Sequence, residues 1–523
     1  MADISDTAPL IEAELQLGVA PAALRRLLRL PLLRKLKTGP ARTRELNATY
    51  FDTEDHQFGR HGMALRVRRS GGLAVQTLKA AHSGEAGFGR LEWESPTTGD
   101  VPDLTRLADL DRLPWLEELD LAAPLEAVFT TTIRRTTWPL RLADGSVVEL
   151  AADQGEIACE AGSEPVSEVE LELKSGDPVA LFALALSLHR EIPVRLLPRS
   201  KSERGYALLR DAPPSPQRAK PVALTSDMDA AVAFKAIARN CLRQWDANED
   251  VALAGEDAEG VHQMRVALRR LRSAFGVFRE VLPPGADALN GELRWLAGEL
   301  GAARDWDVFM GEVLAPITQR MSGESSLRRF AQIVAALRTD GHARAREAIL
   351  SSRATALKLE LGRWLLAPWP DDAPPVGPFA DAALARRARK LRRLGRGHAA
   401  LPPEHLHDLR LRAKRLRYAA EFFRALYRKG RVRRHVRALV AVQDVLGAIN
   451  DGEVGARLLD AVAQQAGPQA DQAWFNRARA LIHGWYAAGT QAQLRHLPVA
   501  WAALAGQRRF WHKPPEDAEP DKD

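Results

Sequence analysis

The chain has 523 residues, 46% of them hydrophobic, which supplies apolar surface for more than one compact core and excludes wholesale disorder. Its two cysteines, Cys159 and Cys241, lie far apart, which argues against a disulfide framework or a thiolate metal site and for a reducing compartment. The net charge of +7 hides an asymmetry, with basic residues crowded between Arg386 and Arg437 and an acidic end from Pro515 to Asp523, so a polyanion is the expected partner: nucleic acid, anionic lipid or polyphosphate. The first residues, Met-Ala-Asp-Ile-Ser-Asp, carry no basic or apolar signal region. The longest apolar run, Val179 to Leu188, is about half the ~20 residues that span a bilayer. A cytoplasmic protein with no membrane partner is expected.

From the N-terminus to about residue 210, short segments alternate polar and apolar residues with a period of two. Examples are Leu10 to Leu17, Ala64 to Arg69, Ala74 to Lys79, Leu91 to Ser95, Val147 to Ala151 and Val166 to Lys174. Turn signals sit between them, among them Ser70-Gly-Gly72 and Asp144-Gly145. This pattern predicts an antiparallel sheet or barrel. Its strands carry charge regularly: Glu12 with Glu14, Arg66 with Arg68, Thr77 with Lys79, Glu92 with Glu94, and Glu168, Glu170 and Glu172 with Lys174. Side chains at i and i+2 share a face, so each strand has one charged side, and a barrel can turn that side inward. A lumen with carboxylates on one wall and cations on another suits a metal–phosphate complex, since Mg²⁺ takes oxygens from a few carboxylates and from the phosphates.

In this order the segments resemble the CYTH family, the triphosphate tunnel metalloenzymes, over about Leu10 to Leu209. The stretches that carry the likeness include Glu12-Ala-Glu-Leu-Gln-Leu17, Tyr50-Phe-Asp-Thr53, Gly62-Met-Ala-Leu-Arg-Val-Arg68, Glu168-Val-Glu-Leu-Glu-Leu-Lys174 and Arg199-Ser-Lys-Ser-Glu-Arg-Gly-Tyr206. The resemblance implies an eight-stranded tunnel that hydrolyses inorganic triphosphate or a related compound with Mg²⁺ or Mn²⁺. It implies metal ligation by Glu12, Glu14, Asp153, Glu170 and Glu172. It puts Glu12, Glu14, Gln16, Lys79 and Arg134 in the catalytic set, and Arg66, Arg68, Lys201 and Arg204 against phosphate. The chain departs from the family signature Glu-x-Glu-x-Lys at Gln16, which offers a hydrogen bond but no positive charge. A barrel that holds phosphate chains without cleaving them is therefore the alternative reading, and the adenylate cyclases and thiamine triphosphatases are further relatives with other substrates.

A proline-rich stretch over 211–224 separates this region from one with long helical periodicity and few turn signals, expected to be all-α. Here Val261-His-Gln-Met-Arg-Val-Ala-Leu-Arg-Arg-Leu-Arg272 recurs as Leu406-His-Asp-Leu-Arg-Leu-Arg-Ala-Lys-Arg-Leu-Arg417. Leu300-Gly-Ala-Ala-Arg-Asp-Trp-Asp-Val308 recurs, more loosely, as Leu446-Gly-Ala-Ile-Asn-Asp-Gly-Glu-Val454. Two motifs repeated in one order at one spacing predict a duplicated bundle, with its seam in the prolines near 367–378. On a helix, His262, Arg265, Arg269 and Arg272 form one stripe beside an apolar stripe of Val261, Met264, Leu268, Leu271 and Phe275. His407, Arg410, Lys414 and Arg417 repeat it. Like charges at helical spacing repel, so acidic neighbours or a bound polyanion must offset them. No helix-turn-helix, zinc finger or aromatic stacking motif reads bases, so a specific nucleic-acid partner is not expected.

These motifs resemble the CHAD family, the conserved-histidine α-helical domain, over about Met228 to Arg508. The resemblance implies two four-helix halves around a basic pore that binds inorganic polyphosphate through these eight stripe residues, and association with polyphosphate granules. Asn450 stands where the first copy has Arg304. The expected layout is a tunnel domain over 8–210, a linker over 211–224, a helical domain over 225–510 and an acidic tail over 511–523.

Overall fold

The computed structural model describes residues 10–70, 73–81, 89–106, 123–210, 213–255, 257–397, 402–466 and 472–511. The acidic end, 512–523, lies outside the described residues, as do the side chains of Glu12 and Asn450. The chain divides into two units, Met1–Pro214 with Leu350–Pro368, and Ser215–Ile349 with Trp369–Asp523.

In the first unit the elements run β1 (Leu10–Gly18), α1 (Pro21–Leu27), α2 (Pro31–Leu36), β2 (Arg42–Asp52), α3 (Gln57–Arg60), β3 (Met63–Ser70), β4 (Leu73–Ala81), β5 (Gly89–Thr97), β6 (Glu126–Arg141), β7 (Val147–Cys159), β8 (Gly162–Ser175), α4 (Val179–Glu191), β9 (Arg195–Leu196) and α5 (Lys201–Leu209). Strands pair in the order β5-β4-β3-β2-β6-β7-β8-β1, and β1 returns to β5, so eight antiparallel strands close into a barrel. β9 adds beside the end of β1, pairing Leu17 with Leu196. Closure removes every edge that would otherwise present unpaired backbone groups.

Two apolar layers coat the outside. Leu15, Leu17, Leu150, Val169 and Leu171 lie under α4, α1 and α2, and Leu65, Val67, Leu78 and Trp93 form the second layer with Phe51 and Phe58. The odd residues of β1 are thereby committed outward and the even ones, Glu14 and Gln16, inward. α5 closes the lumen at one end, where Tyr206 packs edge-on to Phe129 and Phe129 stacks on Tyr50. Gly205 is required there, since a Cβ would come within 2.4 Å of the Phe129 ring. Tyr206 also donates to Asp52 at 2.7 Å, a fully buried carboxylate that accepts from the amides of Thr53, Phe58 and Gly59.

The second unit is helical: α6 (Ala230–Ala254), α7 (Ala258–Val277), α8 (Ala286–Val308), a π-helical turn (Phe309–Leu314), α9 (Ala315–Arg320) and α10 (Ser325–Leu350). After α11 (Ser352–Leu366) come α12 (Val376–Gly395), α13 (Pro403–Phe422), α14 (Lys429–Ala466), α15 (Gln472–Leu494) and α16 (Leu497–Ala505). The repeat is visible in the elements: His262 is the fifth residue of α7, and His407 the fifth of α13. The two copies share a core, with Phe278 stacked on Phe379 and tilted on Phe423, and with Phe309 and Phe330 packed among Leu459, Val462 and Phe475.

One element differs from the sequence reading. α11 falls where a helical-domain segment is expected, yet it groups with the barrel unit. Its Leu359 is fully buried in the layer around α4, and its Gly362 lies so close to Phe182 that a Cβ would come within 2.1 Å of the ring.

Candidate functional site

The barrel lumen holds two charged walls. On one, Lys79 lies 3.3 Å and Arg66 3.8 Å from Glu92, while Arg68 donates to Glu94 at 3.2 Å. Arg66 is largely buried, and although burial lowers its pKa, Tyr50, Glu92 and Glu94 outweigh that and raise it. On the other wall, Arg135 grips Asp153 with two hydrogen bonds, Nε to Oδ1 at 2.8 Å and Nη2 to Oδ2 at 2.6 Å, and also reaches Glu170. Lys201, the first residue of α5, sends its ammonium among three carboxylates, Asp153 at 2.7 Å, Glu170 at 2.6 Å and Glu168. Arg204 adds contacts to Glu168 at 2.7 Å and Glu164 at 2.8 Å. The walls face one another closely enough that Lys79 helps to depress Glu170 and Arg135 helps to depress Arg68.

The expected division into an acidic wall and a basic wall is therefore corrected: both signs interleave on each. Charges withdrawn from water need partners at hydrogen-bond distance, and only interleaving supplies them. Burial alone would raise the Glu170 carboxyl, but Arg135 and Lys201 hold it far below the usual range. The same pairing raises Lys201 against its burial.

Asp153, Glu168 and Glu170 offer oxygens within 4.8 Å of one another, a hard donor set of the kind that suits Mg²⁺ or Mn²⁺. In this structure Lys201 supplies the positive charge at their centre. Of the expected metal ligands, Asp153 and Glu170 are thus brought together. Glu172 is not: it shares their face but pairs with Lys174 and stands opposite Glu14 in the β1–β8 ladder. Gln16 stands opposite Glu170 and donates to Glu14 at 3.0 Å. The Glu12 side chain lies outside the described residues.

Arg134 is corrected. Its side chain is 66% exposed, 3.9 Å from Glu45 on the outer face. Consecutive strand residues face opposite ways, and the β6–β7 register sets Arg135 opposite Asp153. The signal was present, because Trp138 and Leu140, at even positions like Arg134, pack in the outer apolar layer. Glu168 is the other member that the predicted set omitted.

In the helical unit the apolar stripe Val261, Met264, Leu268, Leu271 and Phe275 is buried, which leaves the basic stripe on the flank of α7. His262, Arg265, Arg269 and Arg272 are all half-buried. Arg265 donates to the Gly301 carbonyl at 2.7 Å and lies 3.4 Å from Asp305, so an acidic neighbour offsets it in part. Arg269 and Arg272 have no hydrogen bond or ion pair among the described residues, and burial and Arg294 depress the Arg272 pKa. Burial, then Arg304, lowers the His262 pKa as well. On α13, His407, Arg410 and Lys414 are half-buried, and Arg417 pairs with Glu421 at 3.3 Å over the Tyr418 ring. Sequence reasoning did not single out Arg270, which is buried off the stripe and held by Gln244 and Asn240.

A closed antiparallel tunnel with a charged lumen, joined to a duplicated helical bundle with a basic stripe in each copy, defines a two-part tunnel-and-bundle protein. The CYTH domain model matches residues 10–206 and the CHAD domain model residues 236–460. The chain belongs to the CHAD family and carries a CYTH domain ahead of its CHAD domain. It is similar to the crystal structure of the CHAD domain from the plant Ricinus communis, at 35% identity and a TM-score of 0.51, over 56% of this chain and 98% of that one. An inorganic triphosphatase of Haemophilus influenzae is 33% identical over 171 residues, 31% of this chain, and the match spans 46% of that protein's length. An uncharacterised protein of Mycobacterium tuberculosis is 27% identical over 424 residues, 72% of this chain and 76% of that protein. Among the described residues, no helix is long and apolar enough to cross a membrane.

Proposed function

We propose that the barrel hydrolyses inorganic triphosphate or a related triphosphate with Mg²⁺ or Mn²⁺, and that the helical unit binds polyphosphate. The observation that carries the first part is the lumen itself, where Arg66, Arg68, Lys79, Arg135 and Lys201 converge with Asp153, Glu168 and Glu170. A phosphate chain entering there competes with the carboxylates for these cations. As the phosphate oxygens take up Lys201 and Arg135, the three carboxylates are freed to act as hard oxygen ligands. The divalent cation supplies charge neutralisation at the phosphate and an acidified water. Glu168 or Glu170 can then hold the proton that leaves the attacking water, while Arg66, Arg68 and Lys79 stabilise charge on the departing phosphate. For the helical unit the support is the repeated stripe, in which the buried Nε atoms of Arg269 and Arg272 have no hydrogen-bond partner among the described residues.

Orthophosphate release from tripolyphosphate, measured with Mg²⁺ and after chelation, tests the enzymatic reading. Release that needs the cation and disappears in Glu170→Ala, with helix and sheet content unchanged, is the expected result. Equal release without metal overturns it. One observation favours a second reading, a barrel that binds without cleaving: Gln16 puts an amide, tied to Glu14, at the family's lysine position. Tripolyphosphate binding without any phosphate release would establish that alternative.

A further inference from the structure

Lys201 can grip three carboxylates only if α5 begins in the right place, and the chain that leads into it is short. β9 pairs with Leu17 and Gly18, the Leu197 amide donates to the Gln16 carbonyl at 2.8 Å, and Ser200 caps α5. On the other side, α11 packs against β9, and Val194, the residue just before β9, is tied to an imidazole near the end of α4. His189 is 9% exposed; its Nδ1 accepts from the Val194 amide at 3.3 Å, and its Nε2 lies 2.9 Å from the Ser352 carbonyl. A carbonyl only accepts and an amide N–H only donates, so these partners fix the tautomer with the hydrogen on Nε2. Ser352 is the first residue of α11, the helix contributed from far along the chain and seated on α4 through Leu359 and Gly362.

We propose that His189 is a positioning residue, which with α11 holds β9 and thereby sets Lys201 in the lumen. The barrel's phosphate-gripping end then depends on a segment that the chain supplies some 150 residues later. This rests on the reading of the lumen as a phosphate site for its effect on affinity, but not for the placement of Lys201.

The test uses the full chain and reads Lys201 directly, through its acylation by an amine-reactive ester followed by mass spectrometry. An ammonium clasped by three carboxylates is a poor nucleophile, so Lys201 should be protected in the wild type. His189→Leu should raise its labelling severalfold and weaken tripolyphosphate binding by roughly tenfold, the loss expected when one hydrogen bond to a charged group is given up. His189→Gln, which keeps one donor and one acceptor, should restore both values to within about twofold of wild type. Gly362→Ala, which pushes on Phe182 from within α11, should raise labelling as His189→Leu does, and it covers the case in which His189→Leu fails to fold. Unchanged Lys201 labelling in a folded His189→Leu or Gly362→Ala protein overturns the proposal. A wild type that neither binds nor cleaves tripolyphosphate overturns the functional reading alone, since the labelling result would still decide the role of His189.

Discussion

On β6 the neighbours Arg134 and Arg135 have opposite surroundings, solvent for one and two lumen carboxylates for the other. Alternation makes one of Arg134 and Arg135 face the lumen, and the apolar Trp138 and Leu140 on the even side of β6 leave that place to Arg135. We expect Arg135→Ala to lower kcat/KM for tripolyphosphate by about a hundredfold or more, because it leaves Asp153 and Glu170 short of a partner and removes a cation from the phosphate. Arg134→Ala, on the outer face, should stay within about twofold, and steady-state kinetics on both variants separates the two. The carboxylates posed the same difficulty in another form. Glu168, Glu170 and Glu172 share a face, so the sequence offers three equivalent candidates, and the cluster is decided by where Lys201 and Asp153 arrive from other elements. Gln16 shares the strand face of Glu14, to which it donates. Gln16→Lys would put a cation next to Glu14 and Glu170, which would keep it charged. If that cation acts chiefly as the terminal phosphoryl group departs, it adds on the order of 2–3 kcal/mol, roughly a hundredfold in rate. A rise in kcat with a smaller change in KM is expected; equal or lower turnover in the lysine variant shows that Gln16 is not the weak point.

At the scale of elements, the strands with alternating apolar residues were readable, and two of the longest were not. β2 and β6 entered only through the family resemblance, at Tyr50 to Thr53 and Arg134; β6 fills several positions with threonine and arginine, in Thr130-Thr-Thr-Ile-Arg-Arg-Thr-Thr137, so its pattern carries little contrast in hydropathy. β-Branched threonine and isoleucine favour the strand there, a preference that carries no alternation. The helix pair α7 and α13 was fully legible, since the repeat fixed it twice. Its geometry sharpens the choice of variants for the stripe. Arg269→Ala and Arg272→Ala should each weaken binding to long-chain polyphosphate and flatten its dependence on salt, while leaving thermal stability near wild type, because neither breaks an ion pair among the described residues. Filter binding across a salt series, beside a melting curve, checks both halves of that statement; binding at wild-type strength in the double variant would make the stripe an ordinary surface. A different element sets a pH response. His435 on α14 is 2% exposed, edge-on to the rings of Phe510 and Trp511, and its pKa is pushed down to about 4, first by burial and then by Arg392. A histidine depressed on folding favours the neutral form, so its contribution is complete above the unfolded value of about 6.5 and is lost as the pH falls towards 4. The loss amounts to about 3 kcal/mol, and His435→Phe should flatten the fall in melting temperature between pH 6.5 and 4.

For the molecule as a whole, the two-part plan and the change of fold class at the proline-rich stretch were evident from composition and period alone. What escaped was α11. Its amphipathic pattern is that of any bundle helix, and nothing in Ser352-Arg-Ala-Thr-Ala-Leu-Lys-Leu-Glu-Leu-Gly-Arg-Trp-Leu-Leu366 says which apolar layer receives it. The fit of Gly362 to Phe182, a contact across 180 positions of sequence, decides that together with Leu359 and the His189–Ser352 contact. The arrangement has a consequence for biosynthesis. After α5 leaves the ribosome, about 150 more residues must be made before α11 can dock. At 5–20 residues per second that interval is roughly 8–30 s, during which the apolar side of α4 lacks its cover. The barrel's folding is therefore completed late, by a segment that emerges only after the first helical repeat has been translated.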